Sequence, residues 1–317
     1  MKKVVINKND AGQRLDKFLH KFMPNLPDSM LYKGLRKDCV KLNGKHIKDP
    51  SVKLLENDEL MLYFKDEFFG ANTDDAFKKI TVTPDVVYED ENIIIANKPQ
   101  GMCVHEDENG GGITLIDVIK CYLWKNGEYN PDEEQSFAPA LCDRIDRNTC
   151  GMVIAAKNAE ALRIMNEKIK NREIEKYYIC VCDGYMPKKK DELKAFLQRD
   201  LEKKQVTVFD MPVPDGKTII TEYEVMTEKN GKSMLYVHLK TGRTHQIRAH
   251  LAYIGHPIIG DGKYGKNEIN KRYGIFKQAL CSYKLVFDFE TDGGALEYLN
   301  GKEIQLENIP FADLMER

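Results

Sequence analysis

Three short segments hold the residue types and spacings that could do chemistry. In Asp143-Arg144-Ile145-Asp146-Arg147-Asn148-Thr149-Cys150-Gly151, two carboxylates alternate with two guanidiniums just before an apolar stretch. On a loop, neighbouring guanidiniums can hold one carboxylate ionised and aimed. The same spacing also describes a surface ion-pair knot of little energetic weight. Lys176-Tyr177-Tyr178 puts aromatic rings at a strand start, after the basic residues Lys168, Lys170 and Arg172. Such a ring can pack into a core or stack on a nucleobase. In Leu239-Lys240-Thr241-Gly242-Arg243-Thr244-His245-Gln246-Ile247-Arg248 a strand runs to a glycine, and Thr244 reads as the cap of a helix. Arginines and helix N-termini both receive phosphate. His245, His250 and His256 have no Glu at zinc-binding spacing and read as packing or hydrogen-bonding residues.

These segments need elements to position them. Gly151–Ala155, 178–182, 221–225 and 235–239 have strand composition, and 86–88 and 93–95 add two more. Residues 114–124, 158–169 and 246–254 have helical spacing, and Gly255 and Pro257 stop the last. Hairpin turns outnumber strand–helix–strand units. The expected fold class is therefore α+β, with a mixed, mostly antiparallel sheet carrying helices. No phosphate-binding glycine loop is present. Gly110-Gly111-Gly112 reads as a flexible turn and lacks the following Lys-Ser/Thr.

The chain has 317 residues, 42% hydrophobic and 31% charged, so it can bury a core and a second domain is expected. No apolar run approaches the ~20 residues of a membrane helix. The polar start, Met1 to Lys8, leaves no room for a signal peptide, and a cytoplasmic location is expected. Eight cysteines occur without a Cys-x-x-Cys pair, which suits reduced thiols better than a metal site.

Charge is uneven. Residues 1–65 carry 14 Lys and Arg against 8 Asp and Glu, a balance of +6, within a chain of net charge −2. A basic module on an acidic body suggests attached nucleic-acid binding. Leu15, Phe18, Leu19 and Phe22 form one helical face, and Asp28 or Ser29 is placed to cap a second helix. Asn43-Gly44 reads as a hairpin turn between short strands. This segment resembles the S4 RNA-binding domain in Arg14-Leu15-Asp16-x-Phe18-Leu19, in Cys39-Val40-Lys41-Leu42-Asn43-Gly44-Lys45 and in Leu55-x-x-Asp58-Glu59-Leu60. Lys33, Arg36, Lys37, Lys41 and Lys45 are its candidate RNA contacts, although a basic run is also an ordinary solvated face. Residues 66–79 read as an acidic linker, and 80–317 as the second, larger domain that holds the three chemical segments.

The three chemical segments together resemble the RluA/RluD-type family of RNA pseudouridine synthases. The family pattern His-Arg-Leu-Asp-x-x-Thr-Ser-Gly is matched at 143–151, the stretch Tyr88 to Met102 matches the family's first motif, and Lys-x-Tyr is matched at 176–178. Thr-Gly-Arg-Thr-His-Gln-Ile-Arg is matched without change at 241–248. Asp143 stands where the family usually has His, Cys150 where it has Ser, and Cys281 where His is common.

The resemblance implies an isomerase that detaches uracil from ribose, turns it and rejoins it through C5. Nothing is oxidised and no atom is gained, so no cofactor or metal is expected. Asp146 would attack C1′ or deprotonate C2′. Arg248 would hold its charge, and Tyr178 would lie under the flipped ring. Arg144 would fill the space the base leaves. Lys176, Arg243, Thr244 and His245 would bind substrate. An attached S4 domain favours 23S ribosomal RNA or pre-50S particles as partner, acted on by a monomer. A tRNA-directed synthase, a non-catalytic ribosome-assembly factor and a hydrolase pairing Asp146 with His245 or His250 are the alternatives.

Overall fold

The structure, a computed structural model, describes residues 1–69, 75–106, 112–200, 202 and 204–316. Most of the Gly110–Gly112 turn and residues 70–74 of the expected linker lie outside these. Contacts divide the chain into two units. One comprises Met1–Val82, Asp117–Ala140 and Lys157–Glu160. The other comprises Thr83–Ile116, Leu141–Ala156 and Ala161 onward.

In the first unit, β1 (Lys2–Val5), β2 (Val40–Leu42), β3 (Lys45–His46) and β4 (Glu59–Leu62) form a sheet in the order β1-β4-β2-β3. Helices α1 (Leu15–Phe22) and α2 (Asp28–Arg36) supply the rest of its core. The spacing of α1 works as expected. Leu15, Phe18 and Leu19 are fully buried with Leu31, Leu35, Val40 and Leu60, and Phe22 stacks on Phe18 at 5.3 Å. Asn43 and Gly44 both have positive φ, 50° and 78°, the backbone of a tight hairpin turn. Neither Asp28 nor Ser29 caps α2. The flanking residue is Pro27, whose fixed φ of −61° leads directly into the helix, so Asp28 is already its first residue.

The described part of 66–79 consists of two 3₁₀ turns, Asp66–Phe68 and Asp75–Lys79. Phe68 and Phe69 pack against the core of this unit. Polar contacts tie 130–136 to the N-terminal residues within the same unit. Asn9 Nδ2 donates to Glu134 at 2.7 Å, and Gln13 Nε2 to Ser136 at 2.9 Å.

The second unit is built on β5 (Val86–Glu89), β6 (Ile93–Lys98), β7 (Ala140–Leu141), β8 (Cys150–Ala156), β9 (Ile174–Asp183), β10 (Lys190–Asp200), β11 (Gln205–Phe209), β12 (Lys217–Lys229), β13 (Lys232–Leu239), β14 (Leu280–Phe287) and β15 (Glu303–Gln305). Its main path runs β11-β10-β12-β13-β9-β14-β8-β6-β5. Among the described residues every neighbouring pair on that path is antiparallel except β14 with β8. The sheet is thus mixed and mostly antiparallel, as its hairpin content predicts.

β6 and β8 sit inside the sheet with both faces covered, which is why Ile93-Ile94-Ile95-Ala96 is apolar without alternation. One face packs Ile93, Ile95, Met152 and Ile154 against Ala161 and Met165 of α4 (Ala159–Asn171). Helix α3 (Leu115–Lys125) precedes β7. Helices α5 (Gln246–Tyr253) and α6 (Asn267–Tyr273) lie between β13 and β14, and α7 (Ala312–Glu316) follows β15. Among the described residues no helix is long and apolar enough to cross a membrane.

Candidate active site

Asp146 lies on the loop that feeds β8. Its carbonyl accepts the Thr149 N–H at 3.0 Å, closing a turn. Where β8 starts, β14 comes unusually close. Gly151 has φ 103°, and a Cβ there would sit 2.2 Å from the Ser282 carbonyl oxygen. Only glycine allows this backbone and this approach. Thr149 is buried and accepts a hydrogen bond from Gln278 Nε2 at 2.9 Å, which ties the loop to the start of β14.

Arg248 reaches the loop from the first turn of α5. Its Nη1 donates to Asp146 Oδ2 at 2.6 Å. The rest of the guanidinium is gripped from behind. Nε donates to Asp261 Oδ2 at 2.7 Å, and Nη2 to Asp261 Oδ1 at 2.9 Å. Asp261 is fully buried, and its Oδ1 also accepts the backbone N–H groups of Lys263 and Tyr264. Burial works against the charge on Arg248, but its two carboxylate partners outweigh it and raise its pKa. Burial likewise opposes the charge on Asp261, and the guanidinium overcomes this and lowers its pKa. The result is a rigid cation with one free edge, aimed at a partly exposed carboxylate.

His245 precedes α5 in the left-handed region, at φ 55°. This conformation is uncommon for a residue with a side chain. It brings Nε2 to 3.8 Å from Asp146 Oδ2, while Nδ1 pairs with the Tyr264 hydroxyl at 2.8 Å. The expected cap, Thr244, does not serve as one. The flanking residue is His245, with no side-chain cap bond. The Gln246 side chain instead folds back onto the loop before the helix. Its Oε1 accepts the Arg243 N–H at 3.0 Å and the Thr241 hydroxyl at 2.9 Å.

Tyr178 is buried on β9. Burial raises its phenol pKa, and the Asp143 and Asp146 carboxylates push the same way, so both charges act on the ring's hydroxyl. Lys176, two residues earlier, is ion-paired with Asp143, whose other oxygen accepts the Ile154 N–H at 2.9 Å.

Comparison with known proteins decides what this constellation belongs to. A family model described as RNA pseudouridylate synthase matches residues 92–253, and an S4 domain model matches 13–60. The chain belongs to the RNA pseudouridylate synthase family. It is 32% identical over 308 residues to an uncharacterized RNA pseudouridine synthase of Mycoplasma capricolum, covering 96% of this chain and 97% of that protein. It is 31% identical to ribosomal large subunit pseudouridine synthase D of Borreliella burgdorferi, covering 78% and 74% of the two chains. The Escherichia coli K12 protein of the same name is 30% identical, covering 82% and 75%. Among solved structures, human RNA pseudouridylate synthase domain containing 4 shares the fold, with a TM-score of 0.56 at 18% identity over 73% of this chain and 90% of that one.

The synthase is thus an isomerase, and its geometry gathers Asp146, Arg248 and His245 at one point. Arg144, Arg243 and Thr244 are exposed on the two loops flanking it, and Lys176 stands with Asp143. In the S4 unit, Lys33, Arg36, Lys37 and Lys45 are exposed. Lys41 is half-buried, with its ammonium 5.6 Å from the Tyr63 ring centroid. Among the described residues no group of three or more His, Cys, Asp or Glu side chains is placed to hold a metal ion.

Three supporting residues of the synthase carry no role in the sequence reading. Asp261 is thirteen positions from Arg248, a separation no regular element explains. Arg248 lies over the Tyr264 ring at 5.2 Å. Lys98 is a fully buried lysine whose ammonium donates to the carbonyls of Pro99 at 3.0 Å, Met102 at 2.8 Å and Arg147 at 2.9 Å. Burial lowers its pKa to about 8. The last of these bonds fixes the residue that follows Asp146. In the sequence Lys98 falls within the Tyr88–Met102 motif, as a charge ending an otherwise apolar strand.

His250 carries a pH prediction. It is buried against the Thr221 hydroxyl, 3.0 Å from Nδ1, and burial lowers its pKa to about 4. The unfolded chain takes up this proton as pH falls through about 6.5, whereas the folded chain resists until about 4. Stability from the neutral ring is therefore complete above 6.5 and lost between 6.5 and 4. Between pH 7.5 and pH 5 the parent should lose about 2 kcal/mol more stability than His250→Asn, measured by urea unfolding. Parallel losses would exclude His250 as the source.

Proposed function

We propose that this synthase converts uridines of large-subunit ribosomal RNA to pseudouridine, with the Asp146 carboxylate engaging the ribose. The observation that carries the reading is the Asp146–Arg248–Asp261 chain. A partly exposed carboxylate is held at 2.6 Å by a guanidinium that a buried carboxylate fixes from behind. A group held this way meets a sugar carbon without first reorganising. The reaction engages the sugar at C1′ or C2′, releases uracil, turns it, and rejoins C5 to C1′. The C5 proton leaves last.

The target base must leave its stack, at a cost of a few kcal/mol. Arg144, exposed two residues before Asp146, is suited to fill the gap. Tyr178 offers a flat face beneath the ring. Its raised pKa keeps the phenol protonated, so it serves as a surface and hydrogen-bond donor rather than as a resting base. Lys176 acts on the substrate side through the Asp143 pair. Arg243, Thr244 and His245 line the same approach.

The S4 domain of residues 1–65 supplies sequence-independent affinity. Lys33, Arg36, Lys37, Lys41 and Lys45 face phosphate, and the protein acts as a monomer in the cytoplasm on 23S rRNA or pre-50S particles. Three relatives named for the ribosomal large subunit support this choice of RNA. Mapping pseudouridine in total RNA, with and without the protein, tests it. Sites should appear in large-subunit rRNA. Sites confined to tRNA would overturn it.

The basic face can be tested by charge substitution, because deleting residues 1–65 would remove the partners of 130–136 within the same unit. Lys33→Gln/Arg36→Gln/Lys37→Gln should weaken rRNA binding and reduce the slope of log K against log salt by about 2 to 3. Filter binding at four salt concentrations reads this. An unchanged slope would show that these cations do not touch phosphate.

A further inference from the structure

Two thiols meet behind the catalytic loop. β8 and β14 run parallel where they pair, with Cys281 opposite Cys150. Neighbouring strands stand about 4.8 Å apart, within the ~4.4–6.8 Å that a disulfide spans between Cα atoms. Gly151, beside Cys150, leaves room for the Cys281 sulfur, which would lie 2.8 Å from a Cβ built there. Both thiols line one cavity of about 590 Å³, together with Lys98, Pro99, Gln305 and Leu306. Cys150 is partly exposed into it and Cys281 is buried.

We propose that Cys150 and Cys281 form a peroxide-sensitive pair, oxidised to a disulfide that slows the enzyme. The chemistry suits their surroundings. The neighbouring Cys281 sulfur and the charge of the Lys98 ammonium favour the thiolate, so the Cys150 thiol titrates below its ordinary value, while the two thiols rest against the Leu280 and Ser282 carbonyls at 3.6 and 3.7 Å. Burial and the neighbouring sulfur hold Cys281 protonated. The Cys150 thiolate is therefore the nucleophile and Cys281 the resolving thiol. The thiolate attacks one oxygen of a hydroperoxide and the O–O bond breaks. The departing oxygen takes a proton as water or alcohol, leaving a sulfenic acid on Cys150. The Cys281 sulfur then attacks the Cys150 sulfur, and water leaves as the S–S bond forms. Two thiols lose two electrons and the peroxide gains two.

The disulfide draws the sulfurs to about 2.05 Å. Cys150 is four residues after Asp146, and the loop between them is held by Lys98 at the Arg147 carbonyl and by Gln278 at Thr149. A displacement of about 1 Å at a reacting group can cost ~10²-fold in rate. This effect on rate rests on the function proposed above, but the covalent step does not.

The test treats the full-length protein with hydrogen peroxide, digests it without reduction, and measures peptide masses and pseudouridine formation. A peptide joining 150 to 281, reversed by dithiothreitol, is expected, with turnover at least ~10-fold lower and restored on reduction. Cys150→Ser should keep its rate in peroxide. Cys281→Ser should be trapped by dimedone at Cys150. Full alkylation of both thiols by iodoacetamide after peroxide, or a disulfide joining another pair, would overturn the pairing. A disulfide form with unchanged rate would overturn the switch. An enzyme inactive on RNA before oxidation would count against the proposed function alone, because the peptide mass still reads the pair.

Discussion

Asp146→Asn should abolish release of tritium from RNA labelled at C5 of uridine, lowering turnover by ~10⁴-fold or more, about 5 kcal/mol of barrier. The amide keeps the shape of the carboxylate and removes its negative charge and one of its two acceptor oxygens, leaving a poor nucleophile and base. The fold should hardly notice. Arg248 remains paired with Asp261 through two hydrogen bonds, so its charge is not stranded when Asp146 goes. Asp146 itself is 28% exposed, and a half-solvated side chain contributes little to stability. Thermal midpoint and RNA affinity should therefore stay near those of the parent while activity disappears. That combination separates a reacting group from a structural one. Measurable turnover within tenfold of the parent would remove Asp146 from the chemistry.

Much of this arrangement could be read in the sequence, and the reasons are local. The β8 strand, the α1 face and the Asn43-Gly44 turn follow from spacing and backbone preference, which act over a few residues. The contiguous motif at 241–248 placed Arg248 at a helix start because a strand, a glycine and a helix follow one another there. What stayed hidden depends on contacts between distant residues. Lys176 finds Asp143 across 33 positions, so the departure at Asp143 places a carboxylate within reach of that lysine's charge. Thr244 carries the composition of a cap, yet the left-handed His245 and the inward-folded Gln246 side chain displace it, an outcome of tertiary packing. Lys98 was hidden because buried lysines are rare. Its three carbonyl acceptors come from two loops that only the folded sheet brings together.

The second large effect is expected at Asp261, a fully buried residue that grips Arg248 from behind. Its carboxylate accepts two Arg248 hydrogen bonds and two backbone N–H groups in a fully buried place. Asp261→Asn turns one of these acceptors into a donor facing donors and leaves a buried guanidinium with only the partly exposed Asp146 for compensation. Breaking a buried pair in this way costs about 3–5 kcal/mol, which urea unfolding should read. Loss of stability alone would not prove positioning, because any buried polar defect destabilises. The double variant Arg248→Met/Asp261→Leu separates the two effects. It removes both charges together, and a matched apolar pair is often as stable as the ions it replaces. It should therefore regain most of the stability lost in Asp261→Asn while remaining inactive in the tritium assay, because nothing then holds the Asp146 carboxylate. Asp261→Asn should lower kcat far more than it raises KM, the signature of a displaced reacting group. A stable, fully active Asp261→Asn protein, or a double variant that recovers activity along with stability, would show that the guanidinium needs no anchor and that Asp146 is aimed by something else.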